Sequence, residues 1–127
     1  MTNPGEWIVA VVDDDTRVLE SLEDLLESAG HTVHLFTSAQ ALLDDEAFDR
    51  IDCLISDISM PAIDGLKLER LAKVARPELP VILITGRLEL TRGRQPADDN
   101  KTFLLKPFNE RELLGAIDNA LAARLRR

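Results

Sequence analysis

The sequence predicts an α/β domain in which a doubly wound, five-stranded parallel sheet carries helices on both faces. Short apolar runs of strand length alternate along the chain with segments whose apolar residues recur at spacings of three and four. The chain has 127 residues, of which 45% are hydrophobic, enough for one core but not for two. We therefore expect a single domain over residues 1–127.

The strands are predicted from runs rich in aliphatic and β-branched residues. These runs cover residues 7–12, 31–36, 51–57, 81–85 and 103–106.

Helices are predicted between the strands. Apolar residues recur at helical spacing over 16–29, and Gly30 is a suitable end for that helix. Ser38 is a suitable N-cap for a second helix that runs to about residue 48. A third helix ends before Pro77, and Asn109 caps the last one.

Residues 87–102 break this alternation. The segment is polar, contains Gly93 and Pro96, and has only three aliphatic residues. A proline inside a helix removes a backbone hydrogen bond, and so few aliphatic residues do not form an apolar stripe. A fourth helix in this position is therefore expected to be irregular or degenerate.

Polar residues stand at the ends of four predicted strands. They are Asp13, Asp14 and Asp15 after the first strand, and Asp57, Thr85 and Lys106 at the ends of the third, fourth and fifth. The carboxyl ends of parallel strands meet at one edge of a sheet, where ligands collect, so these side chains should converge. Carboxylates crowded at a buried strand end repel one another unless a cation or solvent offsets their charge.

Charge counting at this edge favours Mg²⁺ as a ligand. Asp13, Asp14 and Asp57 carry three negative charges when ionised, and Lys106 carries one positive charge. The net charge of about −2 matches a hard divalent cation. Beside such a metal Asp57 can act as a nucleophile toward phosphorus. Lys106 would offset the charge on the transferred group, and the Thr85 hydroxyl would donate a hydrogen bond to it.

Other polar residues have simpler interpretations. Asp15 is expected to cap the first helix rather than bind metal. No third zinc ligand accompanies His31 and His34 in the sequence. We therefore expect both histidines to lie at the surface or half-buried rather than in a zinc site.

The motifs at these strand ends resemble the receiver domain of two-component response regulators. The motifs are Val11-Val12-Asp13-Asp14-Asp15, Ser56-Asp57, Met60-Pro61, Asp64-Gly65, Thr85-Gly86 and Lys106-Pro107-Phe108. They occur in that family's order, close to its usual spacing, and cover nearly the whole chain. The residues of these motifs are most similar to those of the nitrogen-fixation-regulator branch of the family. The family is built on the five-stranded fold predicted above.

The resemblance implies a role for each residue of the acidic edge. Asp57 corresponds to the phosphoacceptor, which also contacts the metal. Asp14 corresponds to a direct Mg²⁺ ligand, Asp13 to a ligand through water, and the backbone carbonyl of Ser59 to another ligand.

The resemblance also implies roles around the fifth strand. Thr85 and Lys106 correspond to the pair that contacts the phosphoryl group. Phe103 falls at an aromatic switch position coupled to the Thr85 hydroxyl. The peptide bond between Lys106 and Pro107 is expected to be cis. The polar segment 87–102 departs from the family pattern, in which a regular helix contributes to the signalling face.

The implied function is a phosphorylation-switched signalling domain rather than an enzyme. A sensor histidine kinase or phosphotransfer protein would supply the phosphoryl group, and a downstream protein would read the change. No output domain is expected in the chain. The 15 basic and 23 acidic residues give a net charge of −8, which argues against a direct nucleic-acid partner. With no signal-like start or run of about 20 apolar residues, we expect a cytoplasmic protein without membrane insertion.

Two alternatives share parts of this pattern. A Mg²⁺-dependent phosphatase of the haloacid dehalogenase type also uses an aspartate nucleophile, but that nucleophile ends the first strand in a DxD motif. A flavodoxin-like FMN protein shares the fold order, but three acids after the first strand repel the phosphate of FMN.

Overall fold

The computed structural model describes residues 7–86 and 101–125 and has the predicted architecture. The elements are β1 (Ile8–Val12), α1 (Thr16–Ser28), β2 (Thr32–Phe36), α2 (Ala39–Leu43), a 3-10 turn (Glu46–Asp49), β3 (Cys53–Asp57), α3 (Gly65–Ala75), β4 (Val81–Thr85), β5 (Lys101–Leu105) and α4 (Glu110–Leu125). All neighbouring strands are parallel, and their order in the sheet is β2-β1-β3-β4-β5. Among the described residues, no helix is both long and apolar enough to cross a bilayer.

The sheet separates two hydrophobic cores. Alternate residues of each strand point to opposite faces, so Val9 and Val11 join the core beneath α1 and α4, whereas Ala10 and Val12 join the core beneath α2 and α3. Every residue of β3 and β4 is buried, as expected for central strands covered on both faces. The free Cys53 is part of the first core.

Side chains that flank the helices satisfy backbone N–H groups that have no partner inside the helix. The carboxylate of Asp15 accepts the N–H of Arg17 at 2.9 Å, which confirms its predicted capping role. Ser38 caps α2 in the same way, and Asn109 accepts the N–H of Glu112 at 2.8 Å. Each of these three helices therefore begins at the residue that directly follows its polar N-cap.

The second helical segment is shorter than predicted. One helix was expected from Ser38 to about residue 48, and that expectation is wrong, because α2 ends at Leu43. The carboxylate of Asp45 accepts the N–H of Ala47 at 2.8 Å and begins a separate 3-10 turn. Asp45 therefore offers the backbone a capping hydrogen bond that competes with continuation of the helix.

The last strand begins at Lys101, two residues before the predicted start, and ends at Leu105. Lys106 therefore follows the strand rather than closing it. The expectation of an irregular helix over 87–102 lies outside the described residues, apart from positions 101 and 102, which are strand.

Gly65 lies against the backbone that carries Asp57. A Cβ at position 65 would come within 2.3 Å of the Asp57 carbonyl oxygen and 2.8 Å of the Ile58 Cα, closer than real contacts allow. The backbone N–H of Gly65 donates to the carbonyl of Ile58 at 2.9 Å. The start of α3 thus packs directly on the end of β3, and only glycine fits there.

We predict that Gly65→Ala lowers the free energy of unfolding by about 2 kcal/mol or more, because backbone must move to relieve the overlap. Gly115→Ala is the matched control, since a Cβ at 115 meets nothing within 4 Å. Alanine is favoured over glycine inside a helix, so this control should gain up to about 1 kcal/mol. Urea unfolding curves of both variants test the prediction. Equal effects of the two substitutions would contradict the close approach.

Candidate functional site

Four strands bring the predicted site residues to one edge of the sheet. Val12 of β1 is in register with Ser56 of β3, so the residues that follow each of them, Asp13 and Asp57, lie side by side. Asp57 is in register with Ile84, which places Thr85 one position beyond it on β4.

The backbone of β5 completes this edge. Thr85 is in register with Leu105, and the N–H of Lys106 donates to the Thr85 carbonyl at 2.8 Å. Lys106 therefore lies directly after the end of β5, beside the buried Thr85 of β4.

The acids and the lysine lie within contact range of one another. Carboxylate oxygens of Asp13, Asp14 and Asp57 are all within 4.8 Å of each other. The Lys106 Nζ atom is 3.7 Å from Oδ1 of Asp57 and 4.0 Å from Oδ2 of Asp13. The predicted convergence of these four residues is thus present in the structure.

Burial raises the pKa of both inner carboxyl groups. Asp13 is 2% exposed and Asp57 is 8% exposed. Desolvation, with a further contribution from the charge of Asp57, raises the pKa of Asp13 to about 6, although the hydrogen bond from the Asp15 N–H and the charge of Lys106 oppose the shift. Desolvation also raises the pKa of Asp57, and Lys106 is the largest opposing contribution.

One oxygen of Asp13 is suited to a cation. Its Oδ1 atom accepts the N–H of Asp15 at 2.9 Å. Its Oδ2 atom is buried and has no hydrogen-bond partner among the described residues. A buried carboxylate oxygen without a hydrogen-bond partner, beside two further carboxylates and the Lys106 ammonium group, fits a hard divalent ion with oxygen ligands.

Ser59 and Phe103 lie near this edge without joining the acidic cluster. Ser59 is exposed in the loop between β3 and α3, in which Ala62 has a positive φ of 62°. Phe103 is half-buried and packs against the core beneath α2 and α3. It pairs with Leu83, two positions before Thr85, so Phe103 and Thr85 belong to the same face of the sheet.

Three features near the site complement the sequence prediction. The peptide bond between Lys106 and Pro107 is cis, as the sequence resemblance implied. The carboxylate of Asp64 caps α3 by accepting the N–H of Lys67 at 2.8 Å, a role that was not predicted from the sequence. The close approach of Gly65 was also missed, and the signals for both residues were an acid and a glycine directly before a helical apolar pattern.

A parallel sheet in the order β2-β1-β3-β4-β5, with an acidic cluster and a lysine at its carboxyl edge, defines a receiver-type domain. A family model described as the response regulator receiver domain matches residues 9–118. The chain belongs to this family, and it is a receiver domain of the two-component response regulators.

Named relatives support this assignment. The chain is 38% identical over 120 residues to the response regulator protein TmoT of Ectopseudomonas mendocina, covering 94% of this chain and 54% of the relative. It is 36% identical to the transcriptional regulatory protein FixJ of Bradyrhizobium diazoefficiens, covering 95% of this chain and 58% of that protein. The chain thus spans about half the length of these relatives.

Solved structures agree with the fold. The response regulator StyR superposes with a TM-score of 0.84 at 32% identity, covering 98% of this chain and 63% of StyR. A receiver domain protein from Clostridium thermocellum gives a TM-score of 0.83 at 28% identity, covering 94% and 97% of the two chains. None of these relatives supports the phosphatase alternative.

We predict that Asp13→Asn stabilises the metal-free protein at pH 7 by up to about 3 kcal/mol. The folded-state pKa of Asp13 is about 6, above its ordinary value of 3.8, so the folded protein binds more protons than the unfolded chain between these values. Stability therefore falls as the pH rises through this window, and the asparagine variant should escape the loss. At pH 4 the two proteins should be about equally stable.

Urea unfolding at several pH values, with and without Mg²⁺, tests this prediction. Mg²⁺ should stabilise the parent protein and have little effect on Asp13→Asn. Asp15→Asn is the matched control within the same acidic triplet, since asparagine caps helices as well as aspartate does. A loss of stability in Asp13→Asn at pH 7, or a difference that does not depend on pH, would contradict the electrostatic assignment.

Proposed function

We propose that Asp57 accepts a phosphoryl group from a phosphohistidine of a sensor histidine kinase or phosphotransfer protein. The contact that carries this proposal joins the Asp57 carboxylate to the Lys106 ammonium, at 3.7 Å, inside a cluster of three acids. Asp57 is held at the end of a central strand, and its carboxylate has one cation beside it. Such a carboxylate is positioned to attack phosphorus, while the cation offsets the negative charge of the incoming phosphoryl group.

The transfer forms one bond and breaks one. An oxygen of the Asp57 carboxylate attacks the phosphorus atom, the phosphorus–nitrogen bond of the phosphohistidine breaks, and neutral imidazole leaves with a proton from solvent. Lys106 offsets charge on the transferred group, and the buried Thr85 hydroxyl donates a hydrogen bond to one of its oxygens.

Mg²⁺ is the proposed cofactor of this site. The carboxylates of Asp13, Asp14 and Asp57 would hold it, Asp13 through water, together with the backbone carbonyl of Ser59. When bound, the ion reduces repulsion between the acids and the incoming phosphate. The buried Oδ2 atom of Asp13, which has no hydrogen-bond partner among the described residues, supports this assignment.

The proposed output is a switch at a protein-binding surface. Phosphorylation adds charge beside Thr85, and the Thr85 hydroxyl biases the position of Phe103 on the same face of the sheet. A downstream protein would read the resulting change. The domain itself would assist its own phosphorylation and dephosphorylation without turning over a separate substrate.

The setting of this reaction is also a proposal. We expect it in the cytoplasm, where kinases and phosphotransfer proteins have access to the domain. The expectation that the chain does not bind nucleic acid applies to this acidic domain alone, because the relative FixJ is named a transcriptional regulatory protein.

Acetyl phosphate with Mg²⁺ tests the acceptor directly. We predict one phosphate adduct by intact mass, lost in Asp57→Ala because the attacking oxygen is gone. Asp118→Ala, which removes an exposed acid on α4, is the control and should keep the adduct. An adduct that persists in Asp57→Ala would assign the acceptor elsewhere.

We further predict that Lys106→Gln separates metal binding from phosphorylation. Removing the ammonium group 3.7 Å from Asp57 lowers competition with a cation, so Mg²⁺ should bind about tenfold more tightly. The rate of phosphorylation should fall about tenfold or more, because the transferred group loses its cationic partner.

Titration with Mg²⁺ followed by nuclear magnetic resonance, and adduct formation timed by mass, measure the two effects. Lys67→Gln, an exposed cation on α3, is the matched control. Parallel loss of metal binding and phosphorylation in Lys106→Gln would count against this electrostatic role.

A further inference from the structure

Helix α3 carries a stripe of exposed residues on the side that faces away from the core. Lys67, Leu71 and Val74 recur at spacings of four and three, and all three are exposed, whereas Leu68 and Ala72 of the same helix are buried. Val74 is 84% exposed and Leu71 is 39% exposed, so they are two of the three large hydrophobic residues that are exposed among those described. Adjacent exposed aliphatic side chains on one helix are a candidate contact surface.

Glu78 continues this stripe beyond the end of the helix. It lies four residues after Val74, in the turn that follows α3, and it is exposed. Two hydrogen bonds hold this turn at the helix end. The N–H of the buried Leu79 donates to the Arg76 carbonyl at 3.1 Å, and the Lys73 ammonium group donates to the Leu79 carbonyl. The stripe therefore has a cation at one end, an acid at the other and two aliphatic residues between them.

The order of charges along the stripe selects a second copy of the chain as its occupant. Lys67 precedes Leu71 by four residues, and Glu78 follows Val74 by four. A two-fold rotation about an axis between Leu71 and Val74 therefore places Lys67 opposite Glu78 of the second copy. A partner of uniform charge would instead meet a like charge at one end. Neither Lys67 nor Glu78 has an ion-pair partner among the described residues.

We propose that two copies of the chain associate through α3, with the two helices antiparallel about this axis. Leu71 of each copy packs against Val74 of the other, and Lys67 pairs with Glu78 at both ends of the contact. Exposed ion pairs add little affinity, so these pairs fix the register of the helices. One helix from each copy buries less surface than a standard interface, and each copy has a net charge of −8, so the association is weak and depends on concentration.

The start of α3 joins this contact to the strand that carries Asp57. Gly65 lies against the carbonyl of Asp57, only two residues before Lys67. A displacement of that backbone on phosphorylation would move Lys67 relative to its ion-pair partner, so the strength of association should depend on the state of Asp57. This coupling rests on the proposed function, whereas association of the unmodified protein does not.

Sedimentation velocity of the full chain, from micromolar to millimolar concentration, tests the association. The average mass should rise with concentration toward twice the monomer mass and no further, because a two-fold contact is closed. Lys67→Glu and Glu78→Lys should each weaken association about tenfold or more, because like charges then meet at both ends. An equimolar mixture of the two variants should recover it, and so should the protein that carries both substitutions.

Control proteins keep the test specific. Arg111→Glu and Glu27→Lys make the same changes of net charge at exposed positions of α4 and α1, which cover the opposite core, and both should associate like the parent protein. Leu71→Ser with Val74→Ser should weaken association without changing charge. A parent protein that stays monomeric up to millimolar concentration, a mass that exceeds the dimer, or a mixture of the charge-reversed proteins that fails to associate would overturn the proposal.

Acetyl phosphate with Mg²⁺ tests the coupling separately. The dimer fraction should change about threefold or more in the parent protein and stay constant in Asp57→Ala. An unchanged fraction in a protein that carries the phosphate adduct by intact mass would overturn the coupling. Absence of the adduct would instead contradict the proposed function and leave the dimerisation result as it stands.

Discussion

Crowding of three carboxylates at one edge of the sheet is the constraint on which the rest of the structure depends. Their mutual repulsion would separate them if the backbone were free to move. Backbone hydrogen bonds prevent this, since the N–H of Asp13 donates to Phe36 at 3.1 Å and the N–H of Ile58 donates to Ile84 at 2.9 Å. The sheet therefore stores an electrostatic cost that a bound cation can relieve.

The surrounding fold keeps the position of Asp57 fixed. Cores on both faces of the sheet bury β3 completely, and α3 begins in contact with the backbone of Asp57 itself. Lys106 follows β5, two strands away from Asp57, and its backbone N–H donates to the carbonyl of Thr85 on the intervening β4 at 2.8 Å. A change of charge at Asp57 consequently acts on a rigid site, and motion is expected in the elements around it rather than in the strand that carries it.

Most of the fold and the membership of the acidic cluster follow from the sequence. Local patterns of apolar residues locate the strands, and the carboxyl ends of parallel strands lie at one edge of the sheet. Asp13, Asp57 and Lys106 lie far apart in the chain, yet each one stands at a strand end, and that is sufficient to bring them together. The sequence could not show where α2 ends, since Ser38 caps its start, Asp45 can cap a second turn, and only packing decides whether one helix continues past Asp45. Nor could it show the Gly65 contact, which depends on the distance between two elements.

The central claim is that burial and neighbouring negative charge raise the pKa of the Asp13 carboxyl group, and that a bound divalent cation lowers this pKa again. Carbon-detected nuclear magnetic resonance of that carboxyl group, titrated with acid in the absence and presence of Mg²⁺, measures it directly. The account predicts a midpoint near pH 6 without metal and a clear downward shift when Mg²⁺ is added. A midpoint near the ordinary aspartate value without metal, or no change on adding Mg²⁺, would contradict it.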